Sequence, residues 1–211
     1  MDLPVFALHA VLFPGERLAL RVFEERYLEM MEEVLPEGPF VVVAIREGRE
    51  VGGGYEPYRV GVTVAVEDYT YDDDGDGAGS YWLRTVGSGR VALIERTQAA
   101  PFPRWAVEPH PDEGGAGTDD VETATRALAR YLEAVGDGTL ERAAIPHDPV
   151  GASYAIAAAV PGLLPVRQAL LEVPGAGGRL ELARATLARE TALVRTLGAN
   201  VGGPSLDVNP N

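Results

Sequence analysis

The sequence predicts an α+β chain: an N-terminal β pseudo-barrel with one inserted helix, followed by a C-terminal helical bundle. Three observations carry this prediction. Residues 3–108 hold a series of short apolar runs of strand type, separated by Gly, Pro and Asp turn signals. Within them, residues 23–34 switch from a period of two to a helical period. Beyond Pro109 the apolar spacing is helical throughout. We place the β part at residues 1–112, the bundle at 118–198 and a flexible tail at 199–211.

Taken in order, Val5, Phe6 and Leu8 mark a first strand, and Phe13-Pro14-Gly15-Glu16 reads as a turn, because Pro presets one backbone angle and Gly permits a positive one. Leu18, Leu20 and Val22 alternate with Arg17, Ala19 and Arg21, the pattern of a half-buried strand. Phe23, Tyr27, Met30, Met31 and Val34 then recur at three and four residues, on one face of a helix that ends near Pro36 and Gly38. Residues 40–45, FVVVAI, form a run apolar enough for a strand buried on both faces. Residues 59–66 form a Val-rich strand that Tyr69 and Tyr71 extend, and 72–79 an acidic, Gly-rich tip. Residues 81–86 and 90–95 read as two strands joined by a Gly87-Ser88-Gly89 hairpin. A last strand spans 102–108, with Pro101 and Pro103 placing it at an edge or entry point. Short hairpins favour antiparallel neighbours, and this many short strands favour closure into a barrel.

Residues 109–118 are a linker by composition. Helices follow at 118–135, ending in Gly136-Asp137-Gly138, then at 149–160, 164–173 and 179–197. The chain carries 32 acidic and 18 basic residues, a net charge of −14. Residues 1–110 hold 10 Arg against 19 acids (−9), and the remainder 8 against 13 (−5), so neither half is a basic module. Nucleic-acid backbones and anionic membranes are therefore not expected as principal partners. All basic residues are Arg, so a Walker A loop, a Ser-Lys dyad and a Schiff-base lysine are excluded. The absence of Cys excludes disulfides and thiol chemistry and fits a reducing cytoplasm. No signal peptide pattern opens the chain, and its longest uncharged run, residues 149–166, is broken by Pro161, Gly162 and Pro165. A cytosolic location is expected.

Several phrases together resemble a known family: Leu3-Pro4-x-Phe6-x-Leu8, the Phe13-Pro14-Gly15 turn, Leu18-x-Leu20, and above all Phe23-Glu24-x-Arg26-Tyr27. Downstream, Arg167-x-x-Leu170-Leu171-Glu172 and Arg179-Leu180-x-Leu182 continue the likeness. The chain resembles the Lon substrate-binding domain, the amino-terminal domain of Lon proteases, over about residues 3–198. One departure is Glu25, where the family often has Pro. The resemblance implies a PUA-like barrel followed by a helical bundle. It also implies a free-standing, non-catalytic protein- or peptide-binding module without the ATPase and peptidase parts. Its expected partners are unfolded or exposed apolar segments of proteins, and no cofactor is expected. Within the matched phrases, Pro14, Gly15, Phe23, Glu24, Arg26 and Tyr27 are expected to be structural, with Glu24 and Arg26 fixing the helix against the barrel.

The candidate binding residues are aromatics in or beside strands, since an exposed subset would form a surface suited to unfolded peptide: Phe13, Tyr55, Tyr58, Tyr69, Trp82 and Trp105, with Tyr71 nearby. A small-molecule module using an aromatic pocket is the alternative. Asp72, Asp74 and Asp76 followed by Gly77 mimic the start of a calcium loop, but the twelfth position is Leu83 rather than Glu, so a solvated tip is expected there, with a weak, non-specific Ca²⁺ contact as the alternative. His9, His110 and His147 lack metal-ligand spacing. Gly151-Ala152-Ser153-Tyr154-Ala155 lacks the second Gly of a nucleophile elbow. No catalytic residue is assigned. A carboxylate hydrolase and an RNA-binding barrel are the remaining, less favoured classes.

Overall fold

The structure, a computed structural model, describes residues 1–35, 38–50, 54–73, 79–136 and 145–201, with side chains described to 197. The two strands predicted to open the chain form as β1 (Asp2–Leu8) and β2 (Arg17–Val22). Helix α1 covers Glu25–Val34, and β3 covers Phe40–Glu47. A two-residue strand, β4 (Glu56–Pro57), precedes β5 (Val60–Asp72), β6 (Ser80–Gln98) and β7 (Arg104–Pro109). Four helices follow: α2 (Thr118–Val135), α3 (Pro149–Ala158), α4 (Leu164–Glu172) and α5 (Ala176–Val201). Of the predicted tail, 199–201 lie in α5 and 202–211 lie outside the described residues.

The strands close on themselves. The hydrogen-bonded order runs β1-β7-β6-β5-β3, and β3 returns to β1 in parallel through Val5↔Val41 to Leu8↔Ala44. The other strand pairs are antiparallel. Alternation along β1 and β3 then sends side chains to two separate cores. Val5, Ala7, Val41, Val43 and Ile45 join Val91, Leu93, Trp105 and Val107 inside the ring. Phe6, Phe40, Val42 and Ala44 face outward and are covered by α1 and the later helices. That double burial is why residues 40–45 read as one continuous apolar run.

Helix α1 begins two residues later than the spacing predicts. Glu24 is its N-cap in extended conformation, and its carbonyl accepts from the N–H groups of Tyr27 and Leu28. Tyr27, Met30, Met31 and Val34 form the buried face as expected. Phe23 falls ahead of the helix, out of phase with that face, and is 56% exposed. The Glu24–Arg26 ion pair forms at 3.0 Å. The Arg26 guanidinium also donates to the carbonyl of Glu50 at 3.1 Å and lies 4.4 Å from the Tyr27 ring centre. Tyr27 in turn packs on Phe6, with ring centres 4.3 Å apart. These matched residues thus anchor the helix to the first strand.

The expected hairpin at Gly87-Ser88-Gly89 is absent, because β6 is one strand of 19 residues. Gly87 provides room rather than a turn. The Phe13–Glu16 turn docks on it: the Gly15 N–H donates to the Gly87 carbonyl at 2.8 Å, and the Gly87 N–H donates to the Glu16 carbonyl at 2.9 Å. A Cβ at position 87 would lie 2.5 Å from the Phe13 carbonyl oxygen, inside van der Waals contact. Gly15 supplies the positive φ of 81° that the turn requires.

The segment after Pro109 is not a free linker. Asp112 stands between two buried guanidiniums, 2.5 Å from Arg179 and 3.3 Å from Arg90. Its other oxygen accepts from the Tyr154 hydroxyl at 2.7 Å, and the Arg179 guanidinium lies 3.8 Å from the Tyr154 ring centre. Arg90 on β6 further donates to the carbonyls of Leu171, Val173, Pro111 and Pro174. Arg179 donates to the Ser153 hydroxyl and to the carbonyls of Leu170 and Val173. One hub therefore ties the barrel, the segment after it, α3, α4 and α5. Burial lowers the Arg90 pKa and raises that of the Tyr154 phenol. Arg167 on α4 makes a second tie, 5.2 Å above the Phe13 ring, donating to the carbonyls of Ala158 and Val11.

Candidate binding surface

The six candidate aromatics separate by burial. Phe13 and Tyr55 are buried, and Trp105 is 4% exposed inside the ring. These three fill cores and present almost no surface to a partner. Tyr58 is half-buried between the two cores. Tyr69 and Trp82 are exposed, at 42% and 49%.

Both exposed residues lie where the sheet extends beyond the ring. β5 pairs with β3 only through Phe40↔Val64, Val41↔Thr63 and Val42↔Val62. From Ala65 to Asp72 it pairs with β6 alone, and its other edge carries no strand among the described residues. On the far side of β6, β2 pairs from Arg17↔Val86 to Val22↔Tyr81. The result is a three-stranded wing, β2-β6-β5. Its two faces differ. Tyr71 pairs with Tyr81 and Tyr69 with Leu83, so these side chains share the face that Leu83 and Tyr81 turn toward the core under α1, outside the ring. The Tyr71 and Tyr69 rings flank Tyr81, with centre separations of 4.9 and 6.3 Å. Trp82 points to the opposite face, where the Arg21 guanidinium lies 5.2 Å from its ring centre. Asp68 and Arg84 form a 2.7 Å ion pair on the wing, and Glu67 pairs with Arg17 at 3.0 Å.

A cavity of about 500 Å³ opens at the point where β3 leaves β5. Thr63, Val64, Ala65 and Val66 form its β5 wall, and Met1, Leu3 and Pro39 complete an apolar lining. A register shift between Val66 and Asp68 follows, then Tyr69 and Tyr71. Cavity, open edge and tyrosines thus succeed one another along β5. Glu32 lies close enough to Tyr81 to act with burial in raising its phenol pKa, burial being the larger cause. Glu67 and Asp68 are each matched by an arginine on a neighbouring strand, Arg17 and Arg84, so these pairs add no excess charge to the wing.

Compared with known families, the substrate-binding domain of ATP-dependent protease La (Lon) matches residues 2–189. The chain belongs to the Lon substrate-binding domain family. The match is to that domain alone, and no ATPase or peptidase part is matched. A solved Lon N-terminal domain protein from Xanthomonas campestris is 28% identical, covering 88% of this chain and 98% of its own, with a TM-score of 0.64. The N-terminal domain of Mycobacterium avium complex Lon protease shares the fold at 15% identity and a TM-score of 0.63, covering 89% of this chain and 98% of its own. No curated protein sequence matches. The α+β fold expected from the resemblance is therefore the fold of these Lon domains.

Sequence reasoning did not single out Tyr81, Met1, Leu3, Pro39 or Val66 for this surface. A signal for Tyr81 existed: it and Tyr71 lie equally far from the centre of the acidic tip, as cross-strand partners must. The Arg90–Asp112–Arg179 hub had no local signal. Of the calcium-like aspartates, Asp72 ends β5, while Asp74 and Asp76 lie outside the described residues. Among the described residues no group of three or more His and acidic side chains could hold a metal. His9 stands at the surface, 3.3 Å from Glu50. No helix is long and apolar enough to cross a membrane among the described residues.

Proposed function

We propose that this Lon substrate-binding domain is a non-catalytic module that captures exposed apolar segments of other proteins, which lie in extended form along the open edge of β5. The observation that carries the reading is the run of edge from Ala65 to Asp72 that no strand among the described residues pairs, flanked at one end by the apolar cavity and along its length by Tyr69 and Tyr71. An added strand would satisfy the edge N–H and C=O groups, and its alternate side chains would meet the cavity and the tyrosines. Family membership supports protein segments as the ligand class. The tyrosines form a row on a sheet, and the cavity beside them is lined mostly by aliphatic groups. That arrangement favours a chain segment over a compact ligand in an aromatic pocket.

The test is fluorescence anisotropy with labelled unfolded polypeptides graded in apolar content. Saturable micromolar binding that rises with apolar content is expected. The Tyr69→Ser/Tyr71→Ser double variant should weaken it by about 2 kcal/mol, or roughly 30-fold, with unchanged melting temperature. Binding that ignores apolar content, or survives the double substitution, refutes the assignment.

A further inference from the structure

A second groove lies between α2 and α5, with a volume of about 400 Å³. Its floor is Ala127, Ala188 and Ala192, with the side chains of Thr123 and Thr191. Its rims are guanidiniums: Arg126 and Arg130 from α2, Arg184 and Arg195 from α5. In a chain of net charge −14 this concentration of cations is unusual. Arg126 is engaged by Glu122 at 3.4 Å. Among the described residues no carboxylate pairs with Arg130, Arg184 or Arg195. At the end nearest the start of both helices the groove passes into a second hollow that carries Asp120 and Glu181.

We propose that this groove docks a short acidic segment of a partner protein, with apolar side chains on the alanine floor and carboxylates on the arginine rims. Spacing decides the ligand class. Arg184 and Arg195 are eleven residues apart on one helix, which is about 16 Å at 1.5 Å per residue. A single phosphate spans only a few ångströms and reaches one or two of these groups. A peptide presenting carboxylates over two or three turns reaches all four. Guanidinium also suits carboxylate, since its fork donates to both oxygens. A nucleic acid backbone has the length, but it would have to continue past Asp120 and Glu181 and over an acidic molecule. A short acidic segment ends before them. The surface is separate from the β5 edge, so the two assignments stand or fall independently.

The experiment uses the full chain and a labelled 14-residue helical peptide with Leu and Ala at i, i+3, i+4 and i+7 along one face and Glu on both flanks of that face, followed by anisotropy. The comparison peptide carries Gln for every Glu. Expected results are saturable binding of the Glu peptide, weak binding of the Gln peptide, and loss of affinity with added salt. Each exposed charge pair contributes at most about fivefold. Arg184→Glu/Arg195→Glu removes two such attractions and puts two repulsions in their place, so it should cost more than about tenfold, with an unchanged melting curve and unchanged binding of apolar polypeptide at the β5 edge. Ala188→Trp, which fills the floor without altering charge, should also block the Glu peptide. Equal binding of the Glu and Gln peptides, or full binding by both variants, overturns the proposal. So does tighter binding of a single-stranded oligonucleotide of matched charge, which would assign the groove to nucleic acid.

Discussion

Asp112→Asn is the sharpest probe of how the helices are held on the barrel. The substitution keeps side-chain volume and removes one negative charge from between two guanidiniums whose side chains are essentially buried. Tyr154 also loses its carboxylate acceptor. Removing one partner from a buried ion pair costs about 3–5 kcal/mol, because the remaining charge stays desolvated and uncompensated. Asp112 itself keeps some solvent access, 17% for its side chain, which places the expected loss near the lower end, about 3 kcal/mol. For a domain of this length each kcal/mol moves the melting temperature by about 2–4 °C, so a fall of about 6–12 °C is expected. Urea denaturation and thermal melts followed by circular dichroism measure both. A loss below about 0.5 kcal/mol for Asp112→Asn, the level of an ordinary surface substitution, would refute the role assigned to the hub.

Two further predictions follow from burial. Trp105→Ala should destabilise by about 3–5 kcal/mol in denaturant melts, as a lost core aromatic. Once allowance is made for the unfolded fraction, it should leave peptide affinity unchanged. Glu16 carries a pH signature: burial raises its pKa above the ordinary 4.5, against the opposing Phe13 N–H and Arg167. The folded state therefore holds this proton more tightly than the unfolded chain. Its contribution is full below pH 4.5 and is lost as pH rises through the folded value. Relative to Glu16→Gln, the parent chain should lose stability on going upward from about pH 4.5, measured by melts in matched buffers.

Much of the fold was legible because its signals are local. Alternation at Leu18, Leu20 and Val22 defined a strand, and the spacing of Tyr27, Met30, Met31 and Val34 defined a helix face. The failures share a cause. Gly87-Ser88-Gly89 looks the same whether glycine makes a turn or admits another backbone, and only the position of the Phe13–Glu16 turn decides. Trp82 and Trp105 are both strand tryptophans. Which is buried depends on which stretch of strand closes the ring and which extends past it, a property of pairings far apart in sequence. The Pro- and Gly-rich composition of residues 109–118 truthfully reports irregular backbone. It says nothing of Asp112, whose role rests on Arg90 and Arg179, 22 residues before it and 67 after.

The most direct test of edge capture is amide hydrogen exchange of the full chain, alone and with a saturating unfolded apolar polypeptide. Edge addition predicts slower exchange within residues 65–72, with the amides of β7 unchanged. Unaltered exchange along that edge in the bound state, or protection confined to another face, would contradict it.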